Sequence, residues 1–325
     1  MFTIERDRAG SSDPSGEVGE GPARSPRPAR GRRRLTVPLL LQLGAMIGIG
    51  ALAYPSAADW FATLHHNSEA SGYIEAVEAI SDAEVEARLQ AARDYNSHMP
   101  QGVLRDPYSA PIEAEEHDAA YRAYEELLRI GESDVIGQLD YPELGISLPV
   151  YHGTSEDVIA QGVGHLYGSS LPVGGPSTHS VLTSHSGLLH AALFTKLPSA
   201  ETGDVFELTV LGETRFYRVD RLETVLPEQT EGLTIVPGED LVTLITCTPI
   251  GINSHRLLVT GERIPGPVAA GPATIAGDGK TAGFPWWAVA FLAGSGAVAY
   301  LLFVPPRTRR RDGSSETEHT EEVRA

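Results

Sequence analysis

Cysteine is almost absent from the sequence: Cys247 is the only one in 325 residues. A lone thiol forms no internal disulfide, so no covalent staple holds the fold. No cluster of Cys and His stands at metal-ligand spacing, and neither a metal nor another cofactor is expected. Basic residues are scarce in the middle of the chain. Residues 59–280 hold 12 basic against 33 acidic residues, a net of −21 in a chain whose total is −18. Such a charge repels nucleic acid and anionic lipid headgroups, which removes nucleic-acid binding from consideration. Internal repeats are also missing.

Two stretches lack charge entirely: "LTVPLLLQLGAMIGIGALAYPSAA" at 35–58 and "TAGFPWWAVAFLAGSGAVAYLLFVPP" at 281–306. Each is long enough to cross a hydrocarbon core of ~30 Å, which takes about 20 helical residues. Arginines flank both on the outer side in sequence, "RGRRR" at 30–34 and "RTRRR" at 307–311. The positive-inside rule then puts both tails in the cytoplasm and the acidic middle outside the cell. Trp286 and Trp287 fall where an outer aromatic belt is expected. A signal peptide cleaved near 51–53 competes with a retained first span, and the length of the run favours retention. A buried core helix competes with the second span, and the arginines directly after it argue against that.

The order along the chain follows from texture. Residues 1–34, rich in Gly, Ser, Pro and Arg, read as a disordered tail. Residues 59–132 read as a helical extension. Within it, 69–97 has helical apolar spacing with a break that Ser81 and Asp82 would cap, and 114–130 forms a further helix with Tyr121, Tyr124 and Leu128 on one face. "MPQGVLRDPYSAP" at 99–111 is a loop. From 133 to 265 short apolar runs recur at close spacing, including a hairpin at "LGET", which indicates an all-β barrel or sandwich. Residues 266–283 form a Pro/Gly/Ala stalk leading to the span at 284–306, and 307–325 is a second tail.

Outside the cell a free thiol is an oxidation hazard, so Cys247 needs a reason. A buried cysteine acting as a small hydrophobe is the bland one. Its setting points elsewhere. Cys247 ends the apolar run "DLVTLITC", and Pro249 and Gly251 force a turn before "HRLLVTGER". A strand end would project the sulfur into the barrel mouth. If the two runs pair antiparallel, Arg256 stands beside it, able to hold an oxyanion with its fixed fork of donors. A surface ion pair is the alternative for Arg256. A thiolate nucleophile also needs a base. His185, at the strand-to-loop junction of "SVLTSHSGLLH", is the best placed. His152, His165, His179, His190 and His255 compete on order alone.

"TLITCTPIGINSHRLLVTGER" at 243–263 resembles the signature of sortases, the cysteine transpeptidases of Gram-positive cell surfaces. The closest resemblance is to the pilin-polymerising class C group. "GVGHLYGSSLPVGGPSTHSVLTSHSGL" at 162–188 resembles that group's segment around its catalytic His, and "LRDPYSAP" at 104–111 its lid motif. The family often has Gly and Arg around that His, where this chain has Ser184 and Ser186. It commonly has Trp or Phe in the lid, where this chain has Tyr108.

The resemblance implies a sortase-type eight-stranded β-barrel with an N-terminal helical extension and lid, flanked by two transmembrane helices. Cys247 aligns with the nucleophile, His185 with the catalytic His and Arg256 with the catalytic Arg, while Asp106, Pro107 and Tyr108 form the lid. The implied reaction cleaves an LPXTG-like motif between Thr and Gly and joins the acyl group to an amine. The implied partners are pilin or surface proteins bearing that motif, and an acceptor amine on a pilin lysine or a cell-wall precursor. Three alternatives stand beside this: a sortase anchoring proteins to peptidoglycan, a cysteine peptidase, and a non-enzymatic membrane-tethered barrel acting as an adhesin.

Overall fold

The computed structural model describes residues 33–99, 104–108, 119–131, 133–266 and 282–304. The N-terminal tail up to residue 32, most of the expected stalk and the C-terminal tail lie outside them, as do residues 100–103, 109–118 and 132, which hold parts of the expected loop and the expected start of the third helix.

Eight strands close into a barrel: β1 Val135–Tyr141, β2 Ile146–His152, β3 Val163–His165, β4 Thr178–Thr183, β5 Val205–Val210, β6 Glu213–Val225, β7 Asp240–Thr248 and β8 His255–Ile264. The order around the barrel is β1-β2-β3-β4-β7-β8-β6-β5, with β1 also pairing β5. Only the β2–β3 and β4–β7 pairs are parallel. The hairpin at "LGET" forms with Val210 opposite Glu213. Closure leaves no strand edge exposed, which suits strands this short.

The walls are apolar on both faces. On β7, Val242 and Leu244 enter the main core, while Ile245 joins a smaller cluster with Leu166, Val181, Leu233 and Leu258. Side chains alternate along a strand, so Cys247 shares the outer face of Ile245. The sulfur therefore lies against the barrel wall rather than in its mouth, as the position at a strand end had suggested. It is buried because Leu104 and Tyr108 pack over that smaller cluster.

The helices differ from expectation in extent. α1 runs unbroken over Arg33–Glu78, so the first apolar span continues as helix through 59–68 and onto the barrel. Nothing in "DWFATLHHNS" breaks a helix, and its buried face docks. Tyr73 donates from its hydroxyl to the Ile136 carbonyl (3.0 Å) and accepts the Leu211 amide (2.8 Å). α2, Asp82–His98, starts where expected, with the Ser81 hydroxyl accepting from the Glu84 amide. Among the described residues α3 covers Ala119–Glu125. Leu128 has a positive φ and ends the helical path. Tyr121, Tyr124 and Leu128 are nonetheless all buried. The Tyr124 ring sits among Tyr95, Tyr121, Tyr167, His152 and His165. α4 is short, Glu156–Gln161, and Ser155 caps it. α5, Trp286–Phe303, packs beside the apolar N-terminal half of α1, where Gln42 Nε2 donates to the Ser295 carbonyl. α1 and α5 are the two described helices long and apolar enough to cross a membrane.

Candidate active site

β7 and β8 pair antiparallel, and the register sets Cys247 opposite Arg256. β4 lies on the other side of β7, with Thr183 opposite Ile245. His185 follows β4 by two residues, so the topology brings all three groups to one corner of the barrel. A network of hydroxyls fixes that corner. Ser184 Oγ donates to the Gly162 carbonyl (2.5 Å), Thr246 Oγ1 to the Ser184 carbonyl (2.9 Å) and Ser186 Oγ to the Cys247 carbonyl (2.8 Å). Ser184 and Ser186, the departures from the family pattern, thus tie the His185 loop to β7 and to the end of α4. Phe194 donates its amide to the His185 carbonyl at 2.9 Å.

The segment 104–108, expected from sequence to form a lid, covers this corner. Asp106 accepts two hydrogen bonds from Arg256, Nε to Oδ1 at 2.7 Å and Nη2 to Oδ2 at 2.8 Å. Both partners are buried, so the pair is a desolvated, bidentate, charge-assisted contact. The Tyr108 ring stands between the other two groups, its centroid 4.9 Å from the Arg256 guanidinium carbon and 5.9 Å from the His185 ring. Its hydroxyl donates to the Ser184 carbonyl and accepts from Thr183 Oγ1, each at 2.7 Å. Pro107, also buried, fixes the turn between them.

Electrostatics follow from this burial. Burial pushes the Cys247 thiol above its ordinary pKa; Arg256 opposes this, and Asp106 and Glu156 reinforce it. Burial also pushes the Tyr108 phenol up, so it stays neutral. Sequence reading passed over Glu156. It heads α4, and its Oε1 lies 2.9 Å from His185 Nε2. The signal was available in "TSEDVIAQG", where Ser155 is an N-cap with acids in the first turn.

His255 stands opposite Thr248, next to Cys247, with its Nδ1 2.9 Å from Ser254 Oγ, and His190 is exposed in the loop after His185. The other three competing histidines are held in separate contacts. His165 is buried, with Nε2 donating to the Ser170 carbonyl (2.8 Å) and Nδ1 accepting from the Tyr124 hydroxyl (2.7 Å). Burial holds its pKa down to about 4. His152 packs edge-on against Tyr124, and burial takes it to about 3. His179 is bound between the Thr234 carbonyl and Thr243 Oγ1. These are structural pins. Among the described residues no group of three or more His, Cys, Asp or Glu is arranged to hold a metal ion.

A barrel of this topology with a thiol, an imidazole and a guanidinium at one wall is the architecture of a cysteine acyl-transfer enzyme, and comparison with known proteins gives it a family. Residues 139–264 match the model of the sortase domain. Sortase C-1 from Actinomyces oris is 47% identical, with a TM-score of 0.53, over 56% of this chain and 99% of that one. Sortase C1 from Streptococcus agalactiae is 42% identical, with a TM-score of 0.56, over 62% and 97%. Sortase A of Streptococcus agalactiae is 29% identical over 131 residues, 39% of this chain and 52% of that protein. The chain thus spans about half the length of that curated relative. The chain belongs to the sortase family, and class C sortases are among its near structural relatives.

Proposed function

We propose that the chain is a membrane-anchored cysteine transpeptidase that cleaves an LPXTG-like motif between Thr and Gly and passes the acyl group to an amine, foremost a lysine of a pilin subunit. The observation that carries this is the pairing of Cys247 with Arg256 across β7 and β8, with His185 at the neighbouring strand end and a lid over all three.

In the proposed cycle Asp106 first leaves Arg256. The Cys247 thiolate attacks the Thr carbonyl carbon, and Arg256 holds the resulting oxyanion. The tetrahedral species collapses, the C–N bond to Gly breaks, and protonated His185 gives its proton to the departing amine. A thioester remains. Neutral His185 takes a proton from the incoming amine, which attacks the thioester carbonyl and expels the thiolate. Glu156 orients the His185 ring throughout. The wall under Leu104 and Tyr108 receives the apolar residues of the motif once the lid leaves, and a cavity of about 400 Å³ continues from Leu104 past Gly168, Leu233 and Ile235. In this reading both termini are cytoplasmic and the barrel is outside, which the arginines flanking the two apolar stretches support.

The test is co-expression of the full chain with candidate pilins. Covalent ladders of high mass are expected, and they vanish in Cys247→Ala. Ladders that persist in Cys247→Ala overturn the reading. A second reading, anchoring to peptidoglycan, draws on the similarity to a protein called sortase A. It predicts single adducts with cell-wall precursor amines instead of ladders. A peptidase would give only hydrolysed product when lysine or diglycine is supplied.

A further inference from the structure

α1 leaves no spacer between membrane and barrel. Its charge-free segment ends at Ala58, and the next residue already binds the catalytic domain: Asp59 Oδ1 accepts the Ala192 amide at 2.7 Å. The same level is marked from the other span. Trp60, Phe61 and Trp287 form one aromatic cluster with ring centroids 5.0–6.2 Å apart, and Trp60 Nε1 donates to the Gly283 carbonyl just before α5. Such aromatic groups settle at the headgroup level of a bilayer. Ala192 belongs to the loop that follows His185, so that loop lies at the headgroup level too.

The composition of this rim is unlike the rest of the domain. Residues 184–200 and 248–255 contain no acid, and Lys196 is their only fixed charge, within a region carrying −21. Three large apolar side chains stand out from it: Leu189 is 69% exposed, Ile250 47% and Ile252 71%. The two loops meet, because a Cβ at Gly187 would run into Ile250. Exposed apolar groups on an otherwise strongly acidic surface mark a contact site, and continuity with the two spans identifies the partner.

We propose that the rim formed by 187–192 and 249–254 docks on the outer phospholipid leaflet, with Leu189, Ile250 and Ile252 entering the headgroup–acyl boundary. The acid-poor rim faces lipid while the acidic remainder of the domain is repelled from it, which fixes the barrel's tilt. The Cys247 corner then opens along the membrane surface. This rests on the two-span reading but not on the identity of the acyl acceptor.

The experiment uses the full chain with Cys247→Ser, carrying one new cysteine labelled with the polarity-sensitive dye NBD. It is reconstituted in phosphatidylcholine vesicles with or without 20 mol% phosphatidylglycerol, and with phosphatidylcholine doxylated at carbon 5. Leu189→Cys and Ile252→Cys are the test sites. Glu239→Cys, at the opposite end of β7, is the solvent control, and Leu292→Cys, in α5, is the span control. Labels at 189 and 252 are expected to be quenched at least twofold more than the label at 239, with or without the anionic lipid. Quenching at 292 but equal signals at 189, 252 and 239 would overturn the docking alone. Loss of quenching at 292 would overturn the spans as well. A blue-shifted label at 189 or 252 without doxyl quenching would mean protein, not lipid, covers the rim, and would also overturn it.

Discussion

Replacing Asp106 by Ala should expose the Cys247 thiol. Asp106 and Arg256 meet through two bonds at 2.7 and 2.8 Å in a buried setting. When the lid lifts, water reclaims both groups, so the pair is worth only its net value in the closed state. Hydrogen bonds to charged groups contribute about 1.5–3 kcal/mol each, and some of that is repaid by hydration, so about 3 kcal/mol for the pair is reasonable. At about 1.4 kcal/mol per decade this makes the open lid roughly a hundredfold more populated. Tyr108→Ala removes a cation–π contact and two hydroxyl bonds and acts in the same direction.

The assay is the pseudo-first-order rate of Cys247 modification by a small methanethiosulfonate in the full chain. For a lid that closes faster than reagent attacks, the rate scales with the open population. Removing Asp106 also removes a negative charge that raises the thiol pKa. The two effects separate by pH, because a lower thiol pKa moves the midpoint of the profile while opening lifts its plateau. Plateau rates in Asp106→Ala and Tyr108→Ala that stay within twofold of wild type would refute the lid.

Arg256→Lys keeps the charge but loses the fork, and kcat for peptide transfer should drop by about 100-fold or more, as loss of an oxyanion donor does. Glu156→Gln takes away another charge that raises the thiol pKa, so the midpoint of the Cys247 labelling profile should move to lower pH. Asp140 is pushed up to about 6, chiefly by burial, and its Oδ1 finds no partner among the described residues. The folded state then holds a proton that the unfolded chain releases near 3.8, so stability rises as pH falls from about 6 toward 4 and the charged form costs about 3 kcal/mol above that window. Asp140→Asn should raise Tm at pH 7.5 by several degrees in a detergent melt and flatten the pH dependence. Tyr124→Phe strands His165 Nδ1 and the Gly153 amide and should lower stability by about 1–3 kcal/mol in denaturant titration.

The Cys247–Arg256 contact was legible because the two apolar runs adjoin in sequence and a turn with Pro249 and Gly251 joins them; adjacent strands so connected pair antiparallel, and their facing ends meet. The approach of His185 was not legible from spacing. It depends on β4 lying parallel to β7 across about sixty residues; the strand-to-loop junction made His185 the best candidate, and the family resemblance then set it apart from the other histidines. The unbroken α1 was missed because 59–68 carries His, Asn and Asp among its apolar residues. Its docking on the barrel through Asp59 and Tyr73 is tertiary information. The third helix was carried past its end at Glu125 because the apolar spacing of Tyr121 and Tyr124 continues to Leu128, where the backbone turns left-handed.

On the proposed mechanism, one equilibrium governs both protection and activity. With the lid down, Asp106 neutralises Arg256, and burial keeps the Cys247 thiol protonated and out of reach of oxidants. Lifting the lid hydrates the sulfur and frees the guanidinium in the same movement, so the nucleophile and the oxyanion holder appear together. A chain with one cysteine has no second thiol to resolve a sulfenic acid. Closure is therefore the defence available to it, and a substitution that opens the lid should raise turnover and oxidative inactivation together.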